Sequence, residues 1–134
     1  MTEHHVEHLP LDDMVGAGRN PKAHDLDIGR ASVERYGYVS PAVRDDRTGR
    51  LVVGHGRTEV LRQMRTEGQQ PPGGILTAPD GSWLVPVICG WASRSDAEAE
   101  AYLIADNQHP ALGGWDDAGL ATLLGELAEA DAEL

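Results

Sequence analysis

Leu51-Val52-Val53-Gly54-His55-Gly56-Arg57-Thr58 decides the fold. A short apolar strand-like run breaks on two glycines, and a helix-like run from Thr58 to Met64 follows. Glycine lets the backbone turn sharply and lets a ligand come close. The first N–H groups of a new helix have no intrahelical acceptor, so they favour an anion such as phosphate in front of them. Arg57 adds a bidentate positive charge suited to the same ligand. Val60, Leu61 and Met64 share one helix face, and Arg57, three and four residues before the first two, lies on it. Its guanidinium is expected inward or along a cleft, where it needs an anionic partner or a structural salt bridge.

About fifty residues further on, Ala105-Asp106-Asn107-Gln108 sets a carboxylate beside an amide at the end of an alanine-rich helical stretch. These are hard oxygen donors of the kind that hold Mg²⁺ next to phosphates. The structural alternative is a helix C-cap, with Asn107 left-handed. The two strings together point to a nucleotide-phosphate site. In it His55, Arg57 and Asp106 are the catalytic candidates, and Asp106 and Asn107 the metal ligands. His55 is open to two roles, proton transfer near neutrality or a satisfied structural imidazole.

With 134 residues the chain suits one domain. Hydrophobic residues at 40% and charged residues at 25% are ordinary for a globular protein, and the absence of Phe places the core on Leu, Val, Ile and Ala. No apolar run approaches the roughly 20 residues of a membrane span, and the polar start, Thr2 to His8, does not read as a signal peptide. The single Cys89, in the apolar run Val85 to Cys89, fits a reducing cytoplasm. A net charge of −11 argues against autonomous binding to a polyphosphate backbone. The basic residues are uneven: Arg44, Arg47, Arg50, Arg57, Arg62 and Arg65 gather around the glycine motif, and the last forty residues have no Lys or Arg.

Along the chain, residues 1–8 read as a frayed tail whose His4, His5 and His8 are either solvated or able to bind a transition metal. The domain is expected over 9–130, with 131–134 frayed. Leu9-Pro10-Leu11 reads as an edge strand and Ala31 to Arg35 as a short helix stopped by Gly37. Val39 to Arg44 and Leu51 to Val53 read as a hairpin turning through Asp45 to Gly49. A helix from Gly56 to about Thr66 leads into a Pro/Gly loop, Gln69 to Gly74, and a strand from Trp83 to Cys89. Ser93 or Ser95 can cap a helix from Asp96 to about Ala105. Asp116-Asp117 opens a last helix to about Ala130, with Leu120, Leu123, Leu124 and Leu127 on one side. That stripe suits either the domain's own core or a homodimer seam. Trp115 is expected in a core or interface, and His24 and His109 in loops.

In order, these pieces resemble the ParB/sulfiredoxin superfamily, in particular the ParB-like domain of phages and of DNA-methyltransferase neighbourhoods. The matching strings are Asn20-Pro21-Lys22, Ser32-Val33, Gly37-Tyr38-Val39-Ser40-Pro41, Gly54-His55-Gly56-Arg57, Val85-Pro86-Val87-Ile88, Leu103 to Asn107, and Gly114-Trp115-Asp116-Asp117. The resemblance covers roughly residues 9–128. It implies a compact α+β domain, with a small mixed sheet flanked by helices and helices at its C-terminal end. It also implies a cleft for a nucleoside triphosphate, CTP or ATP, with Mg²⁺. By matching position, Gly37, Tyr38, Val39, Ser40 and Pro41 would form one phosphate-facing loop, and Gly54, His55, Gly56, Arg57 and Thr58 the other. Asp106 and Asn107 stand where partitioning members carry a Glu-Asn pair that holds Mg²⁺.

This chain departs from the family at His55 and Gly56, where partitioning members carry Glu and Arg, so it lacks one carboxylate and one phosphate-binding charge. It has no cysteine in the loop where sulfiredoxin carries its catalytic one, which argues against sulfinic-acid repair. The leading expectation is Mg²⁺-dependent nucleotide binding with hydrolysis or phosphoryl transfer. It would serve DNA modification or segregation, with DNA reached through a partner protein. A metal-dependent nuclease is the second expectation, weakened by the acidic charge and the lack of a dense carboxylate/His cluster. A non-catalytic acidic interaction module is the third.

Overall fold

The computed structural model describes residues 3–18 and 25–131, and the side chains of 108–112 lie outside that description, as do Asn20-Pro21-Lys22, His24 and the side chain of His109. The chain folds into a mixed five-stranded sheet with four α-helices, an α+β architecture ending in two helices. Strand β1 spans His5–Pro10, β2 Ala42–Arg44, β3 Leu51–Val53, β4 Leu76–Thr77 and β5 Trp83–Cys89; helices α1 to α4 span Leu26–Tyr36, His55–Thr66, Asp96–Gly113 and Asp117–Ala130. A 3-10 turn, Leu11–Asp13, follows β1.

The sheet is built around β5. Strand order is β1-β5-β2-β3, with β4 also paired to β5; the β2–β5 pair is parallel and the others antiparallel. Trp83, Val85, Val87 and Cys89 are buried on β5 and alternate with half-buried residues, as a period of two dictates. Pro86 sits within this central strand. On the edge away from β1, β4 pairs at Trp83 and Leu84 and β2 at Val87 and Ile88, so Pro86 falls in the interval between them. A residue without an N–H breaks no ladder there.

Residues 5–8 do not form the frayed tail expected for 1–8. From His5 onward they pair with β5 in unbroken register, His5 opposite Cys89 and Pro10 opposite Leu84. The polar side chains that suggest a tail are the exposed side chains of an edge strand, and ladder hydrogen bonds hold the backbone. His5 hydrogen-bonds to the Glu3 carbonyl and to Glu7 within that strand.

Helix α2 fills one face of the sheet through Val60, Leu61 and Met64, all buried. Helix α1 begins at Leu26, earlier than the short helix expected, because Asp25 caps it by accepting from the Ile28 N–H at 3.0 Å. It packs on α2, and Gly29 leaves room for Val60, whose Cγ2 would lie 3.5 Å from a Cβ there. The main core joins Leu11, Met14, Val33, Tyr38, Leu51 and Ile75 to these helix and β5 residues. Strand β2 starts at Ala42, not Val39, because Val39 and Ser40 lie exposed in the preceding loop.

A buried carboxylate joins the β2–β3 hairpin to the start of α3. Asp45, fully buried, accepts from the Arg47 N–H at 2.9 Å, the Ser93 N–H at 3.0 Å and the Ser93 hydroxyl. Arg47 donates through Nε to Ser93 Oγ at 2.8 Å and pairs with Asp96. Ser93 is therefore spent on Asp45, and Ser95 caps α3 by accepting from the Glu98 N–H. Helix α3 runs well past Ala105, to Gly113, with Leu103 buried. Helix α4 has the bounds expected but not the packing: none of its residues is buried. Among the described residues no helix is long and apolar enough to cross a membrane.

Burial alone would push the Asp45 carboxyl upward, but the hydrogen bonds from Ser93 and Arg47 outweigh it and hold it below its usual value. A lowered folded-state value gives stability that is complete above the ordinary carboxylate range and is lost as pH falls through the lowered one. Asp45→Asn should destabilise the protein by about 1–3 kcal/mol at neutral pH. Denaturant titrations should show the variant's stability falling less than the wild type's on acidification below about pH 4.

Candidate functional site

The candidate site grows from Gly54, the link between β3 and α2. Gly54 has φ +100°, and a Cβ there would lie 2.9 Å from the Ala42 Cβ, so only glycine turns the chain at this point. A glycine at this position also gives α2 no side-chain cap. The helix accordingly starts with N–H groups that no side chain caps and with the positive end of its dipole outward. Thr58 does not face a ligand: it is buried, and its hydroxyl donates back to the Gly54 carbonyl at 2.7 Å.

The Gly37–Pro41 loop is brought to the same place. Gly37 ends α1, donating its N–H to the Val33 carbonyl at 2.8 Å. The Tyr38 N–H donates to the Gly73 carbonyl at 2.7 Å. A Cβ on Gly74 would lie 2.3 Å from the Tyr38 carbonyl oxygen, so the second loop rests directly on the first. This glycine pair has no role in the sequence-based site, although Gly73-Gly74 after two prolines signals a close backbone approach. Val39 and Ser40 are exposed and Pro41 is half-buried.

Tyr38 is the residue that this arrangement turns inward. It is 3% exposed, and its ring lies under the Arg57 guanidinium, 5.6 Å from the ring centroid. The Thr58 hydroxyl lies beside it and donates to Gly54, and its pull on the phenol is weaker than the effect of burial; by distance and angle the Tyr38 hydroxyl has no hydrogen-bond partner among the described residues. Burial pushes the phenol above its ordinary value, against the pull of Arg57, so it stays protonated and a donor.

Arg57 is half-buried, with its guanidinium over this ring. Of the arginines gathered around the glycine motif, Arg44 pairs with Asp46, Arg47 with Asp96, Arg62 with Glu59 and Arg65 with Asp12. Arg50 donates to the Gly16 carbonyl at 3.0 Å. Among the described residues Arg57 alone of this group has neither a carboxylate nor a carbonyl partner. Among the described residues Arg57 is thus the one guanidinium of the cluster without a hydrogen-bonded partner, while Arg50 has a carbonyl but no carboxylate.

His55 is held from the other side. Its Nε2 accepts the Ala17 N–H at 3.0 Å, and a Cβ on Gly16 would lie 3.2 Å from its ring. The ring thereby anchors the 16–18 segment.

Asp106 and Asn107 are not at a helix end. Helix α3 continues to Gly113, and the positive φ angles among the described residues belong to glycines, so Asn107 is not a left-handed cap. Its amide instead donates to the Leu103 carbonyl at 2.7 Å. Asp106 is exposed beside Tyr102. The pair still offers a carboxylate and an amide oxygen, a donor set that suits Mg²⁺ when phosphates and water complete the shell. Among the described residues no group of three or more His, Cys, Asp and Glu is placed to hold a metal.

A cavity of about 210 Å³ opens between the hairpin and α3, lined by Ala17, Thr48, Arg50, Val52, Glu100 and Leu103 among others. The glycine-loop residues do not line it. No family model and no curated protein matches the chain.

A buried hydroxyl without a partner opposes folding, whereas an apolar group of the same shape does not. Tyr38→Phe should therefore raise the stability of the ligand-free protein by up to about 1–2 kcal/mol, read as a higher melting temperature. A lower melting temperature would show that the hydroxyl is satisfied.

Proposed function

We propose that this chain is a ParB/sulfiredoxin-type nucleotide-binding domain that holds the phosphates of CTP or ATP, with Mg²⁺, at the N-terminus of α2. One observation carries this reading: Arg57 and the Tyr38 hydroxyl, donors that have no acceptor among the described residues, lie together beside the uncapped start of a helix. A site made only of donors takes a ligand made of acceptors, and a phosphate group is the densest such ligand. The sequence resemblance names the class of ligand; the geometry supports the residues that would hold it.

Arg57 is the charge that meets a phosphoryl oxygen, and its position over the Tyr38 ring fixes its orientation before the ligand arrives. The N–H groups of Gly56 and Arg57 add dipoles aimed the same way, and Gly56 keeps that approach clear of a side chain. Ser40, exposed on the facing loop, is a further hydroxyl within this reading. Bound Mg²⁺ would neutralise phosphate charge, with Asp106 and Asn107 as its ligands from the protein. Where the bound nucleotide is turned over, Arg57 stabilises charge on the transferred group. His55 holds the loop by accepting the Ala17 N–H. The domain would work in the cytoplasm, reaching DNA through a partner, since its net charge opposes direct contact.

Isothermal titration with CTP, ATP and GTP, each with Mg²⁺ and with EDTA, tests the reading. One nucleotide should bind saturably and in a Mg²⁺-dependent manner. Arg57→Ala should weaken it about tenfold to a hundredfold, the effect of losing a charge-assisted hydrogen bond. Absence of binding by all three, or unchanged affinity in Arg57→Ala, would overturn the assignment.

A further inference from the structure

Helix α4 is amphipathic, yet none of its side chains is buried. Leu120, Leu123, Leu124 and Leu127 recur at helical spacing, yet Leu123 is 52% exposed and Leu124 56%. Trp115, in the connection just before it, is 77% exposed. A helix of 14 residues is marginal on its own in water. Here Gly119 and Gly125 lower its intrinsic stability further, by about 1 kcal/mol each relative to alanine. A leucine face on so weak a helix is explained when something covers it.

Charge identifies what covers it. Ten of the 22 acidic side chains and none of the 11 basic ones lie in residues 95–134, so nearly all of the net charge of −11 belongs to the α3–α4 arm. On α4 itself Glu126 and Glu129 stand in the last turns, beside the negative end of the helix dipole, and no basic residue stands there. Asp131, just beyond, is 3.7 Å from Arg35 of α1. A second copy would bring two strongly acidic arms, with no basic side chain between them, into one contact. An anionic membrane or a nucleic acid would be repelled in the same way.

We infer that the leucine face of α4 is a docking surface for a basic amphipathic helix of another protein. That partner would lay apolar side chains on Leu123, Leu124 and Leu127 and set Lys or Arg against Glu126, at the flank of that face, and against the C-terminal carbonyls. The inference does not rest on nucleotide binding, since it uses none of the residues of the glycine loops.

A labelled synthetic helix of leucine on one face and lysine on the other is the probe, titrated against the whole protein by fluorescence anisotropy. It should bind saturably and more weakly as salt is raised. The double variant Leu123→Ala/Leu127→Ala leaves every charge in place and removes only exposed side chains, so its melting temperature should match the wild type's. It should lose about tenfold or more in affinity. A peptide with glutamate in place of lysine should not bind. Equal affinity for wild type and double variant would mean diffuse charge attraction and overturn the proposal, as would no binding of the lysine peptide. A dimer in sedimentation equilibrium that the same double variant dissolves would assign the face to a second copy and overturn it equally.

Discussion

The structure turns on the backbone at Gly54. A left-handed residue between β3 and α2 is what lets a three-residue strand hand directly to a helix that then lies back across the sheet. The Ala42 side chain is packed against the position where any Cβ would stand, so the turn is fixed from both sides. Everything at the candidate site follows from it. The helix starts uncapped because its N-cap has no side chain, and it starts beside Tyr38 because β2 and β3 are paired. The same constraint therefore sets the core face of α2 and the open face of its first turn.

Around that turn the protein keeps an arrangement that folding alone would not select. Among the described residues a buried phenol has no hydrogen-bond partner and a half-buried guanidinium no counter-charge, and the two lie together. Elsewhere the same chain satisfies its buried polar groups closely, as Asp45 does with three donors. On the function proposed above, what is solved at the hairpin and left open at α2 is preorganisation for an acceptor from outside. The energetic defect and the proposed binding function are one observation.

Much of this was legible in the sequence where local chemistry and tertiary context agree. Trp83–Cys89 and Leu51–Val53 were readable as strands from β-branched runs between turn residues, and α2 from its apolar spacing. Asp117–Ala130 was legible as a helix, yet periodicity states only that a face exists, not what it meets; its leucines remain uncovered. The strand at His5–Pro10 was hidden because an exposed edge strand has the composition of a tail, and only its register with β5 distinguishes them. At the site, proximity of Gly37–Pro41 to Gly54–Arg57 was carried by the resemblance. Arg44 and Arg62 pair with near neighbours in sequence, Asp46 and Glu59, but the partners of Arg47, Arg50 and Arg65 are Asp96, the Gly16 carbonyl and Asp12, contacts across the fold that no local pattern encodes. The extension of α3 past Asn107 was missed for a related reason: Pro110 and the glycines at 113 and 114 read as loop, whereas the helix carries through the proline and ends at Gly113.

The uneven distribution of charge has a kinetic consequence. With residues 1–94 close to neutral and the C-terminal arm strongly negative, the molecule is a large electric dipole. In a field it rotates before it translates, so an approaching cationic body meets the α3–α4 end first, over distances of about a Debye length. Productive encounters are thereby enriched among all collisions, while polyanions are turned away from that end.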